Sequence, residues 1–270
     1  MARRQPTQNI NGTKTAFFTP GDPGEFISGT GSNDFLFGGS KDDTLIGGEG
    51  DDRLLGRERL DVLEGGFGND ILWGNSGEDL LSGGEGDDQL LGGDDSDTLK
   101  GDSGDDTLSG DSGQDGLRGG DGQDLLLGGE DIDILEGGSG DDTLFGESGL
   151  DTLDGGDGND ILDGFGGDSE EIDSLTGGLG SDTFVIGEST GVNYQSGGSE
   201  DLEDLSFAII SDFSAADDFI QASGSSDNYE LVAGDLFNDG IQDTGIYLGD
   251  DLIAVAQDTT VNNFDRFTFV

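Results

Sequence analysis

The sequence predicts an all-β fold: a parallel β-roll, that is, a two-sheet β-solenoid with 18 residues per coil, followed by a small β-rich C-terminal cap or domain. Three observations predict it. From Gly29 to Asp163 the 270-residue chain divides without a slip into fifteen nonapeptides, each opening on Gly, with Asp at the sixth position and Leu at the eighth. Glycine supplies 54 residues, enough to turn the chain twice in every coil. After Val185 the nine-residue register stops and short apolar runs separated by turn residues take over. Without that register the composition, 30% apolar with a net charge of −51, would sit near the disordered class. The order of the glycines and aspartates decides otherwise.

Taken in chain order, residues 1–28 read as a flexible lead. They hold Arg3, Arg4 and Lys14 and all three prolines, Pro6, Pro20 and Pro23. The early arginines imitate the start of a secretory signal, but Ala16-Phe17-Phe18 is too short for its apolar stretch. No run approaches the roughly 18–20 apolar residues that a membrane span needs.

The repeats follow, numbered here from Gly29. Their first six residues, ideally Gly-Gly-x-Gly-x-Asp, turn, because glycine admits the positive φ values such a turn requires. The last three place Leu between two outward-facing neighbours, a minimal strand. Two nonapeptides make one coil, and stacked coils give two parallel sheets with a leucine interior. A stretched sixteenth unit, Gly164 to Thr176, keeps Asp173 and Leu175. A seventeenth, Gly177 to Val185, keeps Asp182 and puts Phe184 in the leucine slot. Arg57 and Arg59, Asp95 and Asp131 break the glycine pattern of the fourth, eighth and twelfth units, a longer period of 36 that points to duplication in blocks of four.

Residues 186–270 read as a β-rich region with strands at Phe207–Ile210, Tyr229–Val232, Ile246–Leu248, Leu252–Val255 and Phe267–Val270. Gly249-Asp250-Asp251 reads as a hairpin turn.

Composition excludes much chemistry. There is no Cys and no His, so disulfides, thiolates, imidazole metal ligands and the nucleophilic triads are absent. The charge, 61 acidic against 10 basic residues, argues against nucleic acid and against unaided docking on anionic lipid. Carboxylate pairs are everywhere and so single out no acid–base site.

The same charge demands a counter-ion. Stacking places sixth-position aspartates in columns about 4.8 Å apart, where like charges repel. One leucine per nine residues is a thin apolar core for a glycine-rich chain that is costly to order. Carboxylates and glycine carbonyls, with no sulfur or imidazole, form a hard oxygen donor set that selects calcium over transition metals and over the more geometrically demanding magnesium. The expected ligands are Asp34, Asp43, Asp52, Asp70, Asp79, Asp88, Asp106, Asp115, Asp124, Asp142, Asp151, Asp160 and Asp182. Weaker ligands are expected at Asp61, Asp97, Asp133 and Asp173.

The pattern resembles the RTX (repeats-in-toxin, hemolysin-type) calcium-binding nonapeptide over residues 29–185. Its full Gly-Gly-x-Gly-x-Asp form stands at Gly47–Asp52, Gly65–Asp70, Gly83–Asp88, Gly119–Asp124, Gly137–Asp142, Gly155–Asp160 and Gly177–Asp182. The resemblance implies that each Ca2+ lies between turns 18 residues apart, held by the sixth-position Asp of both turns and by turn carbonyls. Pairing the fifteen regular units this way gives a ceiling of about 13 ions. The odd-numbered turns are nearly regular. Among the even ones, Gly56-Arg57-Glu58-Arg59-Leu60-Asp61 retains one glycine and adds two cations, so weak or vacant sites are expected beside Asp61.

One face of the roll differs. The ninth positions of the odd units read Phe37, Leu55, Trp73, Leu91, Ser109, Leu127, Phe145 and Asp163, an apolar stripe roughly 29 Å long by ladder spacing. Such a stripe is unusual on a soluble monomer. Either the chain covers it, with the lead around Phe17 and Phe18 or with residues 186–270, or it is a face for self-association or a surface partner.

Two motifs are decoys. Asp235–Asp243 faintly imitates an EF-hand-like loop, but Phe237 occupies a ligand position. Thr44, Val62, Leu80, Thr98, Gly116, Ile134 and Thr152 are too mixed for the regular threonine columns of an ice-binding face. The tail carries a second resemblance: Ile209 to Ile220 is similar to the segment after the last repeat in serralysin-type and cyanobacterial RTX proteins. The closing Phe267-Thr268-Phe269-Val270 is similar to their uncleaved type I secretion signals, which implies a type I exporter as partner. The expectation is therefore a secreted, non-enzymatic calcium-binding protein that folds on meeting extracellular calcium. The alternatives are a cell-surface or matrix component that self-assembles through the stripe, and a toxin or hydrolase whose site would lie in residues 186–270.

Overall fold

The computed structural model describes residues 8–10, 13–16, 24, 26–166, 172–186, 207–214, 216–222, 229–234, 236, 241–248, 251–257, 261, 264 and 266–269. Every element among them is a strand, and none is a helix. The chain divides into two compact units, Met1–Glu130 and Asp131–Val270.

In the first unit, each repeat after the first contributes one strand that runs from its seventh position into the third position of the next; the strand of the first, Phe35–Phe37, ends at the ninth. Thr44–Glu49 shows why: Leu45 is buried while Thr44 and Ile46 are half-exposed, the period-two pattern of a strand with one face inward. Successive repeats alternate between two sheets, and every strand pairs in parallel with the one 18 residues on. Arg53–Glu58 pairs with Ile71–Ser76 in one sheet, and Thr44–Glu49 with Val62–Phe67 in the other. The register stacks like on like. Leu54 lies beside Leu72, Leu72 beside Leu90, and Leu63 beside Leu81, all without solvent exposure. This is the predicted two-sheet roll.

The lead corrects the sequence reading. Gln8–Ile10 and Thr13–Ala16 form an antiparallel pair, and Thr13–Ala16 then joins Phe35–Phe37 in parallel. Phe26–Ser28 pairs in parallel with Thr44–Glu49, which places buried Ile27 beside Leu45. The physical reason is the open end of the stack. The first coil would leave a row of ladder groups and one side of the leucine column uncovered, and the lead fills both. Phe26-Ile27-Ser28 acts as the strand of a preceding repeat without its turn. Phe17 and Phe18 lie outside the described residues.

In the second unit, Ile134–Ser139, Thr152–Asp157 and Ile172–Leu179 continue the parallel pattern in one sheet, and Thr143–Ser148, Ile161–Asp163 and Thr183–Val185 in the other. The stretched sixteenth unit keeps register, since Leu153 pairs with Leu175 and Asp154 with Thr176. The sheets do not stop where the repeats end. Phe207–Ile210 and Phe219–Ala222 add one further parallel strand each. Phe184 and Phe213 pack with ring centroids 6.2 Å apart, and Ile210 and Ile220 are fully buried. Asp251–Ala256 joins in parallel, after which Asp243–Leu248 and Tyr229–Gly234 pair antiparallel; Phe267–Phe269 closes the other sheet. The five strands expected after Val185 are thus present. Gly249 and Asp250 lie outside the described residues.

Candidate metal centre

Each sixth-position Asp follows directly on its turn, and each is buried although its carboxyl is ionisable: Asp52, Asp70 and Asp88 are 1% exposed. One oxygen of each is fixed by the backbone. The Asp34 N–H donates to Asp52 Oδ1 at 2.6 Å, Asp52 N–H to Asp70 Oδ1 at 2.7 Å, and Asp70 N–H to Asp88 Oδ1 at 2.7 Å. The even turns repeat this through Asp43, Asp61, Asp79, Asp97 and Asp115. In the second unit the same bond links Asp133 to Asp151 and Asp173, and Asp142 to Asp160 and Asp182. All seventeen predicted positions are therefore buried at the sixth position of a turn.

The second oxygen is the informative one. Oδ2 of Asp52, Asp61, Asp70, Asp79, Asp88, Asp97, Asp106 and Asp160 is buried and accepts no hydrogen bond. It faces the first glycine of its own turn. A Cβ on Gly47 would strike Asp52 Oδ2 and would lie 2.6 Å from the Gly65 carbonyl oxygen; at Gly74 the same role falls to Asp79 Oδ2 and the Gly92 carbonyl oxygen, 2.7 Å away. Carboxylate and carbonyl oxygens of adjacent coils thus border the same small space, kept open by glycine. A buried carboxylate oxygen without a donor is costly unless it is protonated or bound to a cation.

The electrostatics agree. Burial pushes the carboxyls of Asp52, Asp61, Asp88 and Asp106 up to about 7 from their ordinary 3.8; the backbone N–H that each receives pulls down, and neighbouring carboxylates add to the rise. For the same leading reason Asp70, Asp79, Asp124 and Asp160 reach about 6, and Asp97 about 8. The donor set, carboxylates and carbonyls alone, fits calcium. Among the described residues no three acidic side chains converge on a point, so an ion here would draw its remaining ligands from turn carbonyls.

The ends of the array differ from its interior. The Thr30 backbone N–H and hydroxyl both donate to Asp34 Oδ2, and Gly39 N–H donates to Asp43 Oδ2 at 2.6 Å. At the far end, Asp218 behaves as one more sixth-position residue that sequence reasoning missed. Its Oδ1 accepts from Asp182 N–H at 3.1 Å and its Oδ2 from Ser214 N–H at 2.6 Å. Asp212 was missed too, and its two oxygens accept from Gly177 and Gly178 N–H at 2.9 and 2.8 Å. The signal for Asp218 was present: Asp218-Phe219-Ile220 keeps the Asp-x-apolar spacing of the repeat without its glycines.

Arg57 and Arg59 do not enter the aspartate column. Both are exposed; Arg59 reaches Asp42 at 3.8 Å, a solvent-screened pair of little energetic weight, and Arg57 lies over the Phe37 ring at 5.8 Å. The stripe residues Phe37, Leu55, Trp73, Leu91, Leu127 and Phe145 are all half-buried, and Leu55, Trp73 and Leu91 stand side by side in register.

A parallel two-sheet roll whose turns bring buried carboxylate oxygens against glycine carbonyls defines a class: calcium-binding repeat proteins with a structural role. The family model for the RTX calcium-binding nonapeptide repeat matches in four copies, at residues 28–58, 56–90, 91–126 and 127–162. These span half of the chain, and the protein belongs to the RTX calcium-binding nonapeptide repeat family. A search of curated proteins gives no match. Among solved structures the chain is similar to the extracellular lipase LipA from Serratia marcescens, at 15% identity and a TM-score of 0.20, over 96% of this chain and 42% of the lipase. A likeness that low bears on neither fold nor activity. Among the described residues no helix is long and apolar enough to cross a membrane.

Proposed function

We propose that this protein is exported unfolded and folds when it meets extracellular calcium, residues 29–185 forming the ion-binding roll and residues 186–270 ending it and carrying the export signal. The observation that carries this reading is the set of buried, unpartnered Asp Oδ2 atoms beside glycine carbonyls. Asp52, Asp61, Asp70, Asp79, Asp88, Asp97, Asp106 and Asp160 would hold the ions, with the turn carbonyls completing the shells. Bound calcium supplies positive charge where the fold has buried negative charge. Because an ion that binds only the folded chain adds its binding free energy to stability, folding follows the calcium concentration. Where calcium is scarce, a chain of net charge −51 repels itself and stays open for an exporter.

The test is circular dichroism in chelator and in millimolar calcium, with magnesium as the comparison ion. The expected result is coil in chelator, β structure with calcium and little response to magnesium. A β spectrum of equal strength in all three would end the reading.

A further inference from the structure

We infer that calcium is taken up in two stages, the odd-numbered repeats first and the even-numbered repeats second. The inference rests on the calcium reading above and concerns the order of loading.

Both classes of turn present the same ion-facing group: Oδ2 is buried and without a hydrogen bond at Asp52, Asp70 and Asp88 in odd repeats and at Asp61, Asp79 and Asp97 in even ones. What differs is the backbone that must close beside it. The turn takes positive φ at its second and fourth positions. In the third, fifth and seventh repeats both are glycine, as at Gly48 and Gly50 with φ of 118° and 106°. In every even repeat from the fourth to the fourteenth, a residue with a side chain stands at one of the two, and in the fourth at both. At the fourth position these are Arg59, Asp95 and Asp131, with φ of 79°, 79° and 80°. At the second they are Arg57, Asn75, Asp111 and Glu147, with φ of 101°, 80°, 70° and 63°. Only Asp102, at 75°, intrudes on an odd turn. Residues with a Cβ pay for that conformation, a long basic side chain more than Asn or Asp.

A second, independent difference lies at the fifth position. In the odd repeats Asn and Asp side chains build an outer ladder. Asn33 Oδ1 accepts from Asp51 N–H at 3.1 Å, Asp51 Oδ1 from Asn69 N–H at 3.1 Å, Asn69 Oδ1 from Asp87 N–H at 3.2 Å, and Asp87 Oδ1 from Asp105 N–H at 3.1 Å. It runs opposite in sense to the inner aspartate ladder, so each odd turn is tied to both neighbours. On the even edge the fourth, twelfth and fourteenth repeats place Leu60, Ile132 and Leu150 there, exposed and without an acceptor, which interrupts the ladder; between the eighth and tenth repeats Ser96 Oγ still accepts from Gln114 N–H at 3.2 Å. The odd turns thus close at glycine without a strained φ and are bonded from outside once closed, so closing them costs the incoming ion less. The even turns must be forced into a left-handed conformation as they close, so they fill at higher calcium.

The experiment counts bound ions by equilibrium dialysis across a calcium titration of the full chain, with circular dichroism in parallel. Two steps are expected. A triple variant, Arg59→Gly, Asp95→Gly and Asp131→Gly, lowers the calcium midpoint of the second step by about threefold, strain relief being partly offset by the freedom glycine adds to the unfolded chain. The first step stays in place. In the converse variant, Gly68→Asn with Gly86→Asn, the first step moves toward the second. Full uptake in a single step, or a triple variant that moves both steps equally, overturns the two-stage order while leaving the calcium reading intact. No uptake at all overturns both.

Discussion

At the scale of the residue, the two oxygens of one carboxylate do different work. Asp70 Oδ1 is fixed by the Asp52 N–H, and Oδ2 faces the Gly83 carbonyl across the space that Gly65 leaves open. Asn at this position keeps the first acceptor and turns the second oxygen into a donor aimed at that carbonyl. The substitution Asp70→Asn is therefore expected to act with opposite signs in two conditions. In chelator it stabilises the fold by about 1 kcal/mol, by satisfying a buried group and removing a charge. In calcium it weakens uptake and raises the midpoint. Chemical denaturation in both buffers checks this, and the same sign in both would show that no ion meets Oδ2. Much of this was legible beforehand: a sixth-position Asp recurring every nine residues predicts a buried column. Which oxygen would be bonded and which left open was not, because that depends on how far one coil is offset along the next.

The element scale shows what periodicity hides. The roll was readable from Gly29 because each strand comes with its own turn; the strands that finish the stack come without one. Phe26–Ser28 has neither the glycines nor the aspartate, yet Ile27 extends the leucine column beside Leu45. Phe207–Ile210 and Phe219–Ala222 lie beyond the point where the register stops, yet they pair as the next coil would. End strands need only a complementary edge and an apolar side chain, so selection for turn residues is absent and the sequence signal with it. Asp218 carries the closure at that end, taking the N–H groups of Asp182 and Ser214. Asp218→Ala should therefore cost about 1–3 kcal/mol through two stranded donors, and hydrogen exchange should quicken first at Asp182 and Ser214. Exchange that rises evenly along the roll would contradict a local closure. The stripe makes a separate prediction. Half-buried Trp73 stacks between Leu55 and Leu91, so Trp73→Ser should lower stability by roughly 1–2 kcal/mol from lost apolar area alone. A sedimentation profile that also shifts would identify the stripe as a contact face between copies.

At the scale of the whole molecule, protons and calcium compete for the same buried charge. Carboxyls such as Asp70, Asp88 and Asp97, raised by burial to about 6, 7 and 8, bind protons more tightly in the folded chain than in the unfolded one, where the value is the ordinary 3.8. The unfolded chain therefore holds fewer protons across that window, and stability of the metal-free fold falls as pH rises from about 4 to about 8. Below about 4 the gain is complete, because both states are protonated. Acid should thus substitute for calcium in part. In chelator, lowering the pH from 8 toward 4 is expected to compact the chain and raise its β content, read by sedimentation and circular dichroism. The calcium midpoint should move the other way, rising as the pH falls, and uptake near pH 7 should release protons that a weakly buffered titration can count. A metal-free chain equally expanded at pH 4 and pH 8 would mean that something other than buried carboxylate charge keeps it open.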